Sequence, residues 1–351
     1  MEREASSSSS RSCSAIIVTS PSRIHPCTLM LQAVLNSLDS YVEHFNRGPV
    51  VIVCDGYKKV EESKRKYHVK LGRVPEQMAL AYESYCDALE SLYSPPRFKV
   101  IRSPSHVGFA MAVKLGLLAV ETPYAIIMQH DRKFKRRVTY LPQLVAAMDR
   151  DECIRYIGFP TSISSNHLNI VKSRYGLEEL IKNCTIKTPD ETITLQPLIF
   201  WYDSNHLCHV ERYLEIYTPY KALGERSIEM REYFGLPRIK AMLLKNGDFI
   251  EDRFGQLQRN IIVSSQPDTE MHLRVFRWFG SYLAWQENGL SDMLDSNNVH
   301  NKACRKSNEV VRHLKGRQYN PDVDTLEVHK FSFPPSLCFH SWIFLMYFSS
   351  V

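Results

Sequence analysis

Several things are missing from this sequence, and each absence narrows its function. None of its nine cysteines forms a CxxC pair, and an odd number spread over so long a chain matches neither a disulfide framework nor a zinc module. A reducing, cytoplasmic setting is the expectation. No charge of one sign dominates: 44 Lys and Arg stand against 38 Asp and Glu, a formal net charge of +6. That is short of the dense basic field of a dedicated nucleic-acid binder, so no nucleic-acid partner is expected and any anionic ligand must be met locally. Residues 1–13 carry acidic groups and a serine run without an apolar core, which reads as a disordered leader and not as a signal peptide. Residues 331–351 lose all charge, but their purely apolar part, Trp342 to Phe348, is much shorter than the roughly 20 residues of a spanning helix. A packed terminal segment and a tail anchor in an endomembrane are both open readings, and the anchor is the one route to membrane contact. There is no internal repeat and no domain linker. What is present is 351 residues with 44% hydrophobic content, ample for a buried core.

The first 150 residues alternate between two periodicities. Apolar β-branched runs at Ala15–Val18, Val50–Val53, Phe98–Ile101 and Tyr124–Met128 read as buried strands. Between them, Met30, Val34, Leu38, Tyr41 and Phe45 recur at three- and four-residue steps, Pro75–Tyr93 has a helical pattern, and Val107–Val120 is rich in small and helix-forming residues. Strand and helix alternating at this pace imply right-handed crossovers and a mostly parallel sheet, with ligands at the carboxyl ends of the strands. Polar clusters stand at three such ends: Thr19-Ser20, Asp55-Gly56 and His130-Asp131. Beyond residue 150 the pattern weakens, leaving a strand at Tyr156–Phe159 and a helix near Leu177–Asn183.

A carboxylate loop after a parallel strand, facing a helix start built from Gly108 and Ala110, suits a nucleoside diphosphate. Small residues let phosphate or ribose approach backbone amides, and the carboxylate accepts from base or ribose donors. A Mg²⁺ or Mn²⁺ ion completes such a site through one or two carboxylates and the diphosphate itself, which makes Asp131 the natural anchor. The bland alternative is an Asp131 that merely caps its turn.

The order strand, Asp55-Gly56, then Ser105-His106-Val107-Gly108-Phe109-Ala110-Met111-Ala112, then a strand ending in Gln129-His130-Asp131, resembles the GT-A-type, family 2-like glycosyltransferases over about the first 160 residues. The resemblance implies an α/β, Rossmann-like GT-A fold with a mostly parallel central sheet flanked by helices. Residues 14–160 would form the nucleotide-sugar-binding half, and residues 161–330 an irregular acceptor-side half of the same domain. It implies donor contacts from Thr19, Ser20, Asp55, Gly56, His106, Gly108, Ala110, Gln129 and His130. Two departures stand out: Gln129 takes the place of the first Asp of the Asp-x-Asp metal motif, and His106 lies near the usual Asn. Asp131 therefore matches the metal ligand alone, with a late His, His313, as a second ligand that compensates in part.

Downstream, Glu251-Asp252 looks like the family's acceptor-side acidic motif, which makes Asp252 the candidate base and Glu251 the second choice; a helix cap or an ion pair with Arg253 is the dull reading. Trp201 and Asp203 lie where the family places its acceptor site, although ordinary aromatic core explains Trp201 as well. The basic run Arg132–Arg137 either draws an anionic donor or is simply solvated, and Arg274–Trp278 reads as core packing with surface arginines. The implied activity is metal-assisted, inverting transfer of a sugar from a nucleotide diphosphate sugar to an acceptor that the sequence does not name. A non-catalytic nucleotide- or glycan-binding protein with an eroded Asp-x-Asp motif is the alternative. A sugar-phosphate nucleotidyltransferase is disfavoured, because Thr19-Ser20-Pro21 stands where a glycine-rich loop is needed.

Overall fold

The computed structural model describes residues 13–61, 72–219, 228–264, 269–286 and 311–313. In chain order these form β1 (Cys13–Thr19), α1 (Leu29–Tyr41), β2 (Val50–Cys54), β3 (Lys58–Lys59), β4 (Arg73–Val74), α2 (Glu76–Leu92), β5 (Phe98–Arg102), α3 (Gly108–Leu117) and β6 (Tyr124–Gln129). There follow β7 (Arg132–Phe134), α4 (Leu141–Arg150), β8 (Tyr156–Gly158), α5 (His167–Tyr175), α6 (Glu178–Asn183), β9 (Ile186–Lys187), β10 (Ile193–Pro197), β11 (His206–His209), α7 (Val210–Leu214), α8 (Ile228–Met242), α9 (Gln256–Ser264), α10 (Thr269–Phe279), β12 (Ser281–Gln286) and β13 (Val311–His313).

One nine-stranded sheet runs through the molecule in the order β5-β2-β1-β6-β11-β8-β12-β10-β9. Its first four strands are parallel throughout, with β1 between β2 and β6. This is the doubly wound half that the alternating pattern predicts. On the other side β11 enters antiparallel to both β6 and β8, and β10 lies antiparallel to β12 and β9, while β12 runs parallel to β8. All strands but β10 and β11 therefore point one way, and the sheet is mostly unidirectional.

Both faces of the sheet are covered. On one, Ala15, Ile17, Ile52, Ile126 and Met128 pack against α1, α2 and α4; on the other, Ile16, Val18, Val53 and Ile127 meet α3 and the helices of the second half. Strands buried on both faces must be apolar at consecutive positions, which is why these runs do not alternate. Each such valine, isoleucine or methionine contributes roughly 1.5–3 kcal/mol by leaving water. Helix α3 lies so close to β1 that a Cβ at Gly116 would come within 2.4 Å of Ile16 Cγ2. Both core faces draw on residues before and after position 160, so the two halves share one sheet.

Cys13, the expected last residue of the leader, opens β1. The rest of the leader and the whole apolar tail lie outside the described residues. No helix among the described residues is long and apolar enough to cross a membrane, and every cysteine among them is a free thiol. Arg274–Trp278 falls in α10, with Val275, Phe276 and Trp278 buried and Arg277 exposed.

Candidate functional site

The loops after β1, β2 and β6 open onto one cavity of about 500 Å³, at the carboxyl ends of parallel strands where doubly wound sheets bind ligands. Ser20 and Pro21 follow β1, Asp55 follows β2, and Gln129, His130, Asp131 and Arg132 surround the end of β6. His106, Gly108 and Phe109 come from the entry to α3. The opposite wall is Asp203 together with Phe249, Glu251 and Asp252. With β1 between them, the ends of β2 and β6 stand two strand spacings apart, about 10 Å. The cavity therefore has a β2 end at Asp55 and His106 and a β6 end crowded with carboxylates.

At the β2 end, Asp55 is only 2% exposed and is tied into the backbone. Its Oδ1 accepts the Val107 N–H at 2.8 Å, and both oxygens receive the Gly108 N–H at 3.2–3.3 Å. These are orphan amides of the first turn of α3, and a carboxylate is the strongest acceptor for them. His106 Nδ1 lies 2.8 Å from Asp55 Oδ2, an ion-pair contact too poorly aligned to count as a hydrogen bond. Asp55 holds the imidazole pKa above its ordinary value against the opposing effect of burial. Asp55 thus fixes the loop that borders the ligand space.

The far wall is brought up by a glycine–glycine contact. Gly108 has φ +79° and Gly247 φ +87°, backbone conformations that side chains resist. A Cβ on Gly108 would sit 2.6 Å from Gly247 Cα. The Gly247 N–H donates to Val107 O at 2.7 Å and the Ala110 N–H to Asp248 O at 3.2 Å, while Phe109 stacks on Phe249 at 6.1 Å. Gly108 thus admits the protein's own backbone. The chain then enters a π-helical turn, Glu251–Gly255, that continues into α9; such turns present side chains at spacings an α-helix does not allow.

Glu251 is half-buried and Asp252 exposed. The Asp203 N–H donates to Glu251 Oε2 at 3.1 Å, and Gln129 Nε2 donates to Asp203 O at 2.8 Å. Asp203 is thereby pinned between the end of β6 and the π-turn. Its carboxyl oxygens are buried and have no hydrogen-bond partner among the described residues. Burial, with Glu251 and Asp252 adding to it, pushes the Asp203 carboxyl well above the ordinary carboxylate range. Burial likewise raises Glu251, and Asp252 beside it adds to the rise. Arg132, whose Nε reaches Gln129 Oε1 at 3.4 Å, opposes both shifts through its charge.

The residues fit a hard divalent cation in donor chemistry: Asp131, Asp203, Glu251 and Asp252 offer oxygens to one cavity, and the Asp203 pair is orphaned. Among the described residues no three His, Cys, Asp or Glu side chains already stand in a metal-holding group. Strand β13 pairs antiparallel with β7 so that His313 faces Arg132 in register, next in the chain to Asp131; its backbone is beside the site.

Other sequence candidates stand back from the cavity. Thr19 is fully buried and its hydroxyl pairs with Tyr85 Oη at 3.1 Å. Gly56 packs on the Ser105 backbone, where a Cβ would come within 2.2 Å. Ala110 is fully buried in α3. Trp201 corrects the expectation of an acceptor platform: it is 0% exposed, enclosed by Tyr156, Tyr213 and Phe254 with ring centroids at 4.8–5.4 Å, and has no face to offer a ligand. In the basic run, Lys133 is buried and Arg136 and Arg137 are exposed; Arg132 alone of the run lines the cavity. Phe109, Phe249 and Pro21 line the cavity with no role predicted from the sequence.

No protein-family model and no curated protein matches the chain. Among solved structures it is similar to the galactosyltransferase LgtC in complex with donor and acceptor sugar analogues, at 11% identity over 92% of this chain and 98% of that one, TM-score 0.37. It is similar to the mannosyltransferase PcManGT from Pyrobaculum calidifontis in complex with GDP-Man and Mn²⁺, at 10% identity over 84% and 79%, TM-score 0.36. It is also similar to GalNAc-T7 with UDP, GalNAc and Mn²⁺, at 12% identity over 59% of this chain and 37% of that one, TM-score 0.34.

Proposed function

We propose that the chain is a glycosyltransferase moving a sugar from a nucleoside diphosphate sugar to an acceptor hydroxyl with inversion at the anomeric carbon. The observation that carries this reading is the convergence of Asp55, Asp131, Asp203, Glu251 and Asp252, from separate parts of the chain, on one cavity at the carboxyl ends of β2 and β6. The nucleoside lies at the β2 end against Ser20, Asp55 and His106, and the diphosphate near Asp131 and Arg132, whose guanidinium offsets part of its charge. A bound Mg²⁺ or Mn²⁺, held by Asp131 with His313 as a further ligand, would neutralise the leaving diphosphate.

Asp252, exposed on the rim, takes the acceptor hydroxyl proton as that oxygen attacks the anomeric carbon from the face opposite the departing diphosphate. Glu251, anchored by the Asp203 amide, sets the position of the π-turn. Cysteine usage favours a cytoplasmic setting. The test is release of UDP or GDP from a panel of UDP- and GDP-sugars with Mn²⁺. Asp252→Asn is expected to lower kcat by about 10²–10⁴ with donor affinity retained. Nucleotide-sugar binding without turnover anywhere in the panel would favour a pure binding protein, and no binding at all would sink both readings.

A further inference from the structure

The Asp203 carboxyl has no structural task. It is 6% exposed, both oxygens are buried without a hydrogen-bond partner among the described residues, and it lines the cavity. A buried carboxylate left unpaired as an anion is expensive, so such a group carries a proton or meets a cation. Its backbone, by contrast, is held at both polar atoms: the carbonyl by Gln129 Nε2 and the amide by Glu251 Oε2. Fixing the backbone so closely fixes where the carboxyl stands, between the turn that carries Asp131 and the π-turn that carries Glu251.

Gln129 occupies the position from which a first metal carboxylate is expected, and its amide is already committed, Nε2 to Asp203 O and Oε1 to Arg132 Nε. A neutral amide is also a poorer ligand than a carboxylate for a hard cation. We propose that Asp203 is a ligand of the divalent cation, supplying from the loop before β11 the carboxylate that Gln129 does not, while Gln129 serves as the bracket that places it. This rests on the sugar-transfer reading for the presence of a cation, and on this chain's own geometry for the residue.

The test is Mn²⁺ alone, without nucleotide, titrated into the full chain and followed by electron paramagnetic resonance of the free ion, for wild type, Asp203→Asn and Gln129→Ala. Asp203→Asn keeps the shape and is expected to weaken Mn²⁺ binding by about tenfold or more. Its thermal unfolding without metal should match wild type, and the rise in Tm that Mn²⁺ gives wild type should be lost. Gln129→Ala is expected to weaken Mn²⁺ binding less, by loosening the Asp203 backbone. Mn²⁺ affinity in Asp203→Asn equal to wild type would overturn the proposal, as would no Mn²⁺ binding by wild type. Nucleotide-sugar turnover persisting in chelator would then leave the transfer reading standing. Asp203-dependent Mn²⁺ binding without turnover of any donor would sink the transfer reading and keep the ligand.

Discussion

Replacing Asp55 separates its structural part from any direct contact with a ligand. Its carboxylate is the acceptor for the Val107 and Gly108 amides and faces the His106 ring, all in a nearly sealed position. Asp55→Ala removes the acceptor and leaves these donors stranded. A buried donor without a partner costs about 1–3 kcal/mol, so the pair sums to roughly 2–6 kcal/mol, a fall in Tm on the order of 5 °C or more for a chain of this size. Asp55→Asn keeps one acceptor oxygen in place and loses the charge, so its Tm should fall between the two. Nucleotide affinity should drop in the same order, because the loop from His106 to Phe109 that borders the cavity is no longer held. Differential scanning fluorimetry with calorimetric titration of UDP measures both. Equal Tm for wild type and Asp55→Ala would refute the reasoning, since the two amides would then have another acceptor.

Two further outcomes follow from the same geometry. Trp201→Ala empties a core site enclosed by three aromatic rings and should destabilise by about 3–5 kcal/mol, seen as a lower Tm; a raised acceptor KM at unchanged Tm would instead restore Trp201 to the acceptor site. Because Asp55 raises the His106 pKa above the ordinary 6.5, the pair's contribution to stability is complete below that ordinary value and is lost as pH rises through the raised folded-state value. The Tm gap between wild type and His106→Asn should therefore narrow from pH 6 to pH 9, and a gap that does not change with pH would contradict the pairing.

The doubly wound half was legible because burial on both faces forces unbroken apolar runs: β1, β2, β5 and β6 each fall within a residue or two of where Ala15–Val18, Val50–Val53, Phe98–Ile101 and Tyr124–Met128 place them. Strands β10, β11 and β12 were not, because segments such as Ile193–Pro197 mix polar and apolar residues whose burial is decided by partners distant in sequence: Thr194 and Gln196 are both buried. In the candidate site, Asp55 and Asp131 were found by residue type and place in the alternation, and His106, Glu251 and Asp252 through the family resemblance; the structure brings all five to one cavity. Why they meet was hidden, since the Gly108–Gly247 contact joins positions far apart in the chain through backbone alone. Trp201 stayed open between acceptor contact and aromatic core for a related reason: an aromatic beside a carboxylate looks the same in sequence whether its ring faces a ligand or, as here, three other rings. The orphaned state of Asp203 depends on which neighbours fail to reach it, and nothing in the sequence reports that.

Crystals of the protein soaked with UDP and with GDP in the presence of Mn²⁺ test the shared cavity most directly. The expected density places the base beside Asp55 and His106 and the diphosphate beside Asp131 and Arg132, with Glu251 and Asp252 across the space left for sugar and acceptor. A nucleotide bound elsewhere on the molecule, or a cavity still empty at millimolar ligand, would contradict it.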